Sequence, residues 1–511
     1  MLFRGRVALC LGVGGLLSIC VLAWCFFGSL RDEAARQPSA ATRPNIVIVL
    51  VDALRADQLG VYGSSRQLSP AIDELAREGV TFEQTISQAP WTQPSVASLF
   101  CSFYPSVHQV RDYELAWNST FAQTPAVAVF GESFTTLAEV IHGCGYQTAA
   151  FSANPWVVPE FGFGRGFEHF DASFATFGKG SSISGRTLNQ AVFRWLAERD
   201  VARPFFLYLH YMDAHGPYYG DPDCLNRLLD EVERMPAKHE LTAEETERLQ
   251  NLAWIPPDAD AERHKRLMKY REYWMARYDA GVRAADICFN ELRQGLTERG
   301  LWNNTYVIFT ADHGEALCEH HFWDHGLSVY HSELHVPLIL RWPGVLKGGS
   351  RIPQTVELFD LMPTLLDQLH LPAIHGLQGA SLVPLLAGKP FVRRPEALAE
   401  AVKFGTEQKA LYQDGLKLLF IDSNPTRAAL FDIARDPDEQ TDLASTAAGP
   451  YQSMLRDLVA AFAKSQSLAG SMPALKVPIS EEQRRRLESL GYVGSPSSRK
   501  PTRSAAPSSP R

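Results

Sequence analysis

The chain has 511 residues, of which 45% are hydrophobic and 21% charged, with a formal net charge of −8. This is ordinary globular composition, long enough for one large α/β domain with a smaller companion, and it excludes a chain disordered throughout. The negative charge is spread along the chain with no basic run, which excludes an extended nucleic-acid-binding surface.

Residues 7–30, VALCLGVGGLLSICVLAWCFFGSL, carry no charge and follow Arg4 and Arg6. A helix over them spans a bilayer core of roughly 30 Å, and the arginines keep its N-terminus in the cytoplasm. The run is longer than the apolar stretch of a cleaved signal and no clean A-x-A site follows it, so residues 1–30 are expected to be a single-pass membrane anchor. Everything after Arg31 is then periplasmic or extracellular, beginning with a polar linker over 31–43. Cys10, Cys20 and Cys25 lie in the anchor, and the five other cysteines are too widely spaced for a disulfide framework or a zinc motif.

Asn45–Val51, NIVIVLV, is a continuous apolar run, the pattern of a strand covered on both faces of a parallel sheet, and Asp52 ends it. Ser69-Pro70 through Gly79 reads as a helix with Ser at its N-cap, Pro in its first turn and Gly closing it. Further strands are predicted at Gln147–Ser152, Phe205–Tyr211 and Thr305–Thr310, with helices such as Phe134–His142 and Tyr278–Arg299 between them. This alternation predicts an α/β fold, a large mostly parallel sheet sandwiched by helices, over residues 44–388. Residues 220–269 are charged and helix-prone, and read as an insertion. Short strands at Ala410–Gln413, Leu416–Ile421 and Ala429–Ile433, with a turn at Asp414-Gly415, predict a small antiparallel subdomain over 389–465. A C-terminal segment, 466–511, follows, with a disordered tail rich in Ser, Pro, Arg and Ala from Ser495.

Ligands of open α/β sheets bind outside the carboxyl ends of the strands, and three predicted strands end in one kind of residue. The first meets Asp52, the second runs into Asp213-Ala-His215, and the third runs into Asp312-His313. Carboxylate and imidazole are the ligands of zinc, manganese and similar divalent ions. Residues 312–325 hold four histidines and four acids, and among them Asp312 and His313, then His325, are the nearest to the strand end; His320, His321 and Asp324 are expected to be supporting or surface groups. Thr92 stands at a helix N-terminus, two residues before Pro94 and ahead of Ser95–Phe100. Free amides and the helix dipole favour an anion there. Its hydroxyl either caps the helix or, next to a divalent cation, attacks a phosphorus or sulfur centre.

In order along the chain, Pro44-Asn-Ile-Val, Val51-Asp52, Arg55 to Gly63, Ser69-Pro, the Thr92 loop, Tyr208–Tyr218, Asp312-His-Gly-Glu315, Val336-Pro-Leu-Ile339 and Phe359 to Leu366 resemble the sulfatase branch of the alkaline phosphatase superfamily. The likeness covers roughly residues 44 to 445. It implies an alkaline phosphatase-like fold, a metal set of Asp52, Asp312 and His313, and Thr92 as nucleophile and metal neighbour. It also implies that His215 and His325 hold the anionic head of the substrate or serve its leaving group.

The departures from that family pattern are as informative. Sulfatases carry C-x-P-S-R or S-x-P-S-R, whose first residue becomes formylglycine, whereas this chain reads Thr92-Gln-Pro-Ser-Val96. Val96 replaces the motif's arginine, Ala53 the second Asp of a pair, Ala153-Asn-Pro-Trp156 a lysine-and-histidine stretch, and His325 a second lysine. A Thr nucleophile is similar to that of phosphodiesterases and of phosphoethanolamine or phosphoglycerol transferases in the superfamily. In dizinc members an Asp and two His complete a second site, a role open here to Asp213, His215 and His325. The expected cofactor is therefore one or two divalent ions, Zn, Mn or Ca. The expected activity is hydrolysis of an anionic phosphate or sulfate ester, whose carrier is a lipid or glycan of the cell envelope. A membrane-anchored transferase, or a binding protein that kept the fold without the chemistry, are the alternatives.

Overall fold

The computed structural model describes residues 43–111, 126–175, 185–233, 261–469, 475–478 and 480, apart from positions 217, 219, 221, 392, 394, 404, 405, 422, 423, 425 and 426. The expected anchor at 1–30, the linker up to residue 42, the core of the insertion at 234–260 and the tail from Ser495 lie outside the described residues. Among those described, no helix is long and apolar enough to cross a membrane.

The main sheet has eight strands: β1 (Asn45–Val51), β2 (Val80–Ile86), β3 (Gln147–Ser152), β4 (His169–Asp171), β5 (Phe205–Tyr211), β6 (Thr305–Thr310), β7 (His335–Arg341) and β8 (Ser350–Glu357). Their order across the sheet is β8-β2-β7-β6-β1-β5-β3-β4. β1 lies at the centre, paired in parallel with β6 on one side and β5 on the other, and it is buried along its whole length. That position accounts for its unbroken apolar sequence, since helices cover both faces.

The four strands predicted from apolar runs form over the residues expected. β2, β4 and β8 lacked that signal. β2 carries Glu83 and Gln84, and β8 carries Pro353 and Gln354, which an outer position tolerates because one side of the pairing or one face meets solvent. β7 alone runs antiparallel, between β2 and β6, so the sheet is mixed rather than wholly parallel. The helix expected at Tyr278–Arg299 begins much earlier, covering Ala261–Glu298, so the stretch read as an insertion ends inside it.

The C-terminal residues build a second, antiparallel sheet of β9 (Ala397–Ala399), β10 (Gln408–Gln413), β11 (Leu416–Ile421) and β12 (Ala428–Asp432) in sequential order. Asp414 and Gly415, both at positive φ (54° and 75°), make the tight turn between β10 and β11. This is the primed turn geometry that Asp-Gly favours. One face of this sheet packs Ala397, Ala410, Leu419 and Phe431 against Ile86, Val329 and Leu334 of the larger domain. The other receives Met454, Leu458 and Phe462 of the helix Ala448–Ala469. The contact at Ile86 brings the chain leaving β9 to the end of β2, close to Thr92.

Candidate active site

Strands β6, β1, β5 and β3 are adjacent and parallel, so their carboxyl ends open on one edge. At that edge stand Asp312 and His313 after β6, Asp52 after β1, His210 at the end of β5, and Asn154 two residues past β3. β2 ends at the same edge, and its connection delivers the helix Thr92–Cys101. Ser87 and Ser95 fix this helix by donating to the carbonyl of Asp312 at 2.5 and 2.6 Å.

The Thr92 hydroxyl does not cap its helix. The N-cap is Trp91, without a side-chain hydrogen bond, and Thr92 Oγ1 lies 3.5 Å from Asp52 Oδ2 and 3.3 Å from His313 Nε2. Asp52 is fully buried, and one of its oxygens is well satisfied: Oδ2 accepts from Asn154 Nδ2 at 2.5 Å and faces His210 Nε2 at 2.9 Å. An unprotonated Nε2 would set a lone pair against a carboxylate, so the proton of His210 sits on Nε2 and the Tyr208 hydroxyl donates to Nδ1 at 2.9 Å. Asn154 is oriented in turn by Trp156, whose backbone N–H donates to its Oδ1 at 2.7 Å.

The other oxygen of Asp52, Oδ1, and Oδ2 of Asp312 are buried without a hydrogen-bond partner. His313 Nδ1 donates to Gly314 O at 2.8 Å, which leaves the lone pair of Nε2 facing inward, 3.5 Å from Asp52 Oδ1 and 3.4 Å from Asp312 Oδ2. Acceptors thus face one another, an arrangement that costs several kcal/mol unless a cation, or a proton taken up by the bare pair, lies between them. Ligands held at about 2.1 Å around a tetrahedral ion stand about 3.4 Å apart, which is the spacing found here. The donor set therefore fits a divalent cation. His210, also within 4.8 Å of the Asp52 and Asp312 oxygens, has both ring nitrogens engaged and orients Asp52 rather than ligating.

The electrostatics agree. Burial opposes ionisation of Asp52, but His215, His210 and His313 bring it below the ordinary carboxylate range. Burial, and then the charge of Asp52, push Asp312 well above that range, so the bare pair shares one negative charge. Burial and the neighbouring His325 keep His313 neutral, the form that ligates.

A second cluster adjoins the first. Residues 316–317 and 323–324 pair antiparallel with Ala316 opposite Asp324, which sets Glu315 and His325 across from each other. His325 Nδ1 lies 2.9 Å from Asp324 Oδ1 and 3.2 Å from Glu315 Oε1. Burial opposes its charge, yet Asp324 and Glu315 raise His325 well above an ordinary histidine, so it is an imidazolium. Its ring centre is 4.3 Å from that of His313 and 4.9 Å from that of His215. His215 Nδ1 meets Gly216 O at 2.6 Å, and Nε2 lies 4.0 Å from Asp52 Oδ1. Burial pushes Glu315 up to about 7.

Asp52, Thr92, His215, Asp312, His313 and His325 thus converge. Asp213 does not join them: it accepts from the backbone N–H of Gly185 at 2.9 Å, at the start of the helix Gly185–Glu198, and from the thiol of Cys288. The carboxylates beside His325 are Glu315 and Asp324 instead. His320 stacks on Tyr330 and meets Asp438 O, away from the cluster. Asn154, His210 and Glu315 were missed in the sequence; the position of Asn154 and His210 at strand ends was the available signal.

Val96 occupies the position of the family's arginine and is wholly buried in the core. Ala53, at φ 58°, replaces the second Asp, and its strained turn is held by its N–H on Asp312 Oδ1 and its carbonyl on the Tyr278 hydroxyl.

Residues 44–371 match the sulfatase family, and residues 318–466 match the C-terminal family of N-sulphoglucosamine sulphohydrolase. The chain belongs to the sulfatase family. It is 26% identical over 455 residues to an arylsulfatase of Clostridium perfringens, covering 78% of this chain and 90% of that one. It is also 26% identical over 508 residues to a multifunctional alkaline phosphatase superfamily protein of Trinickia caryophylli, covering 81% and 94%. The phosphonate monoester hydrolase of Agrobacterium radiobacter shares the fold, with a TM-score of 0.63 at 22% identity over 84% of this chain and 96% of that one. The protein is accordingly a sulfatase-like ester hydrolase, with its acidic and imidazole groups gathered at the edge where the fold places ligands.

Proposed function

We propose that this sulfatase-family protein is a metal-dependent hydrolase in which Thr92 is the nucleophile, acting on phosphate esters ahead of sulfate esters. One observation carries the reading: the Thr92 hydroxyl leaves its capping role and points at Asp52 and His313, at 3.5 and 3.3 Å. Asp52, Asp312, His313 and Thr92 would hold the ion, Zn, Mn or Ca, which when bound polarises the ester and favours the ionised hydroxyl. The helix beginning at Thr92 directs its dipole at the anionic head. His325, charged between Asp324 and Glu315, holds that head and carries the proton to give to the leaving oxygen, and His215, which burial brings below an ordinary histidine, stands beside it as the group to take a proton. A second ion would require His325 to give up its proton; His215 and His325, with Glu315 or Asp324 in place of Asp213, would then be the groups open to it.

The relatives' names, arylsulfatase and multifunctional alkaline phosphatase superfamily protein, bracket the range of esters. Within that range Thr92, which cannot become formylglycine, favours phosphorus. The carrier of the ester is placed among envelope lipids and glycans because residues 7–30 are read as a membrane anchor, a reading that carbonate extraction of the full chain tests.

The test of the chemistry is direct. Metal content is measured on the purified protein, and nitrophenyl phosphate, a phosphodiester and a sulfate ester are assayed with wild type and Thr92→Ala. The expectation is bound metal and a loss of about a thousandfold or more in kcat for Thr92→Ala at unchanged Tm. Turnover that survives the substitution overturns the mechanism.

A further inference from the structure

Lys403 lies outside every motif discussed so far. It follows β9 and belongs to the C-terminal subdomain, yet it is 7% exposed and embedded among the loops of the site. Its Nζ lies 5.3 Å from the ring centre of Trp91 and 5.4 Å from that of Trp156, and the two indoles meet edge to face at 5.9 Å. Trp91 directly precedes Thr92, and Trp156 is the residue that orients Asn154.

The backbone around Lys403 is tied to the same loops. Trp91 Nε1 donates to Ala401 O at 2.8 Å, and Lys403 N donates to Gly326 O at 2.7 Å. Gly326, next to His325, sits at φ 77°, and a Cβ there would lie 2.8 Å from that of Lys403. Only glycine allows that approach. Three loops of the site, those of Thr92, Asn154 and His325, therefore converge on one lysine supplied by the other sheet. Burial holds its pKa well below that of an ordinary lysine, against the opposing pull of Asp324 and Asp52, so an incoming anionic head is what favours the ammonium.

We infer that Lys403 is a substrate-binding cation: its ammonium holds an oxygen of the anionic ester head, supplying from the C-terminal subdomain positive charge that Val96 and the Asn154 loop do not. The inference rests on the hydrolase reading above for its substrate, but not for its test. The bland reading is a stem that fills space between two indoles, a task methionine does equally well. The two readings predict opposite results for Lys403→Met. An ammonium between two indoles is attracted to both ring faces and can still meet an incoming oxyanion.

Inorganic phosphate is the probe, titrated calorimetrically into the full metal-loaded protein over a range of ionic strength. Lys403→Met is expected to weaken phosphate binding about tenfold or more and to flatten its salt dependence, while Lys403→Arg keeps most of the affinity. Lys403→Gln repeats the measurement should the methionine variant not fold. Phosphate binding within about threefold of wild type in Lys403→Met or Lys403→Gln, with the same salt slope, overturns the assignment. The outcomes separate from those of the nucleophile. Thr92-dependent turnover together with phosphate binding indifferent to Lys403 sinks this inference alone. Lysine-dependent phosphate binding in a protein that turns over no ester sinks the hydrolase reading alone.

Discussion

Two regions of this molecule are equally rich in acids and histidines, and they differ in whether the charges are answered. Beside the active-site edge lies a cavity of about 230 Å³ lined by Arg55, Asp57, Glu319, His331, His335 and Glu439 among others. There Arg55 reaches Asp57 at 2.6 Å and Glu319 at 2.7 Å. His331 meets the Tyr412 hydroxyl and His335 meets Glu83 O. At the Asp52 edge, by contrast, Asp52 Oδ1 and Asp312 Oδ2 have no hydrogen-bond partner, and His313 turns a lone pair towards them. Density of polar groups is common to both regions. What marks the second as a site is an excess of acceptors, which a cation balances.

That contrast is open to direct attack. The largest effect is expected at the Asp52 edge, where Asp312→Asn removes one of the opposed carboxylates. Metal content and kcat should fall, the latter by about a thousandfold, while the metal-stripped variant gains about 1 kcal/mol of stability because folding no longer has to protonate or bury the second carboxyl. A chelator titration followed by Tm checks this, and a metal-stripped variant less stable than wild type would break the comparison. Next, Arg55→Met should behave in the opposite way. It strands Glu319 beside buried surface and costs about 3 kcal/mol in urea denaturation, with kcat/KM of the folded fraction close to wild type. A loss confined to activity would show that the Arg55 region belongs to the catalytic apparatus. The smallest effect is expected for Asn154→Ala, which takes one donor from Asp52 Oδ2 and leaves His210 in place. Metal affinity should drop about 10- to 100-fold at a nearly constant Tm, measured by competition with a chelating dye.

How much of this was readable in advance follows from the kind of signal each element carries. β1, β3, β5 and β6 are buried central strands, so each must be apolar nearly throughout, and a run of such residues bounded by turns marks it. β8, at the sheet edge, and the short β4 answer to fewer neighbours and carry mixed sequences that identify nothing. The ligand-type residues were legible for a related reason. Asp52 and Asp312 come immediately or nearly so after a buried strand, where the chain leaves the sheet on a known edge.

Residues whose roles are set by partners far along the chain were not legible. Asp213 stands two positions from His215 in the sequence, yet the helix Gly185–Glu198 begins beside the end of β5. The Asp213 carboxylate goes to that helix while His215 goes to the site. Asn154 and His210 matter because β5 and β3 follow one another on the same side of β1 and bring both to Asp52 Oδ2, a fact about strand order that no local pattern contains. Lys403 is the extreme case, carried to the Thr92 loop by the packing of one sheet against another.

Apolar periodicity and the residues at strand ends were thus enough to indicate the α/β class and the sheet edge where Asp52, Thr92, Asp312 and His313 meet. Both signals are local, arising from burial and from where a strand must stop. Strand order, the direction of β7, the parting of Asp213 from His215 and the arrival of Lys403 were settled by three-dimensional packing. They depend on contacts between segments tens to hundreds of residues apart, which leave no mark on the intervening sequence.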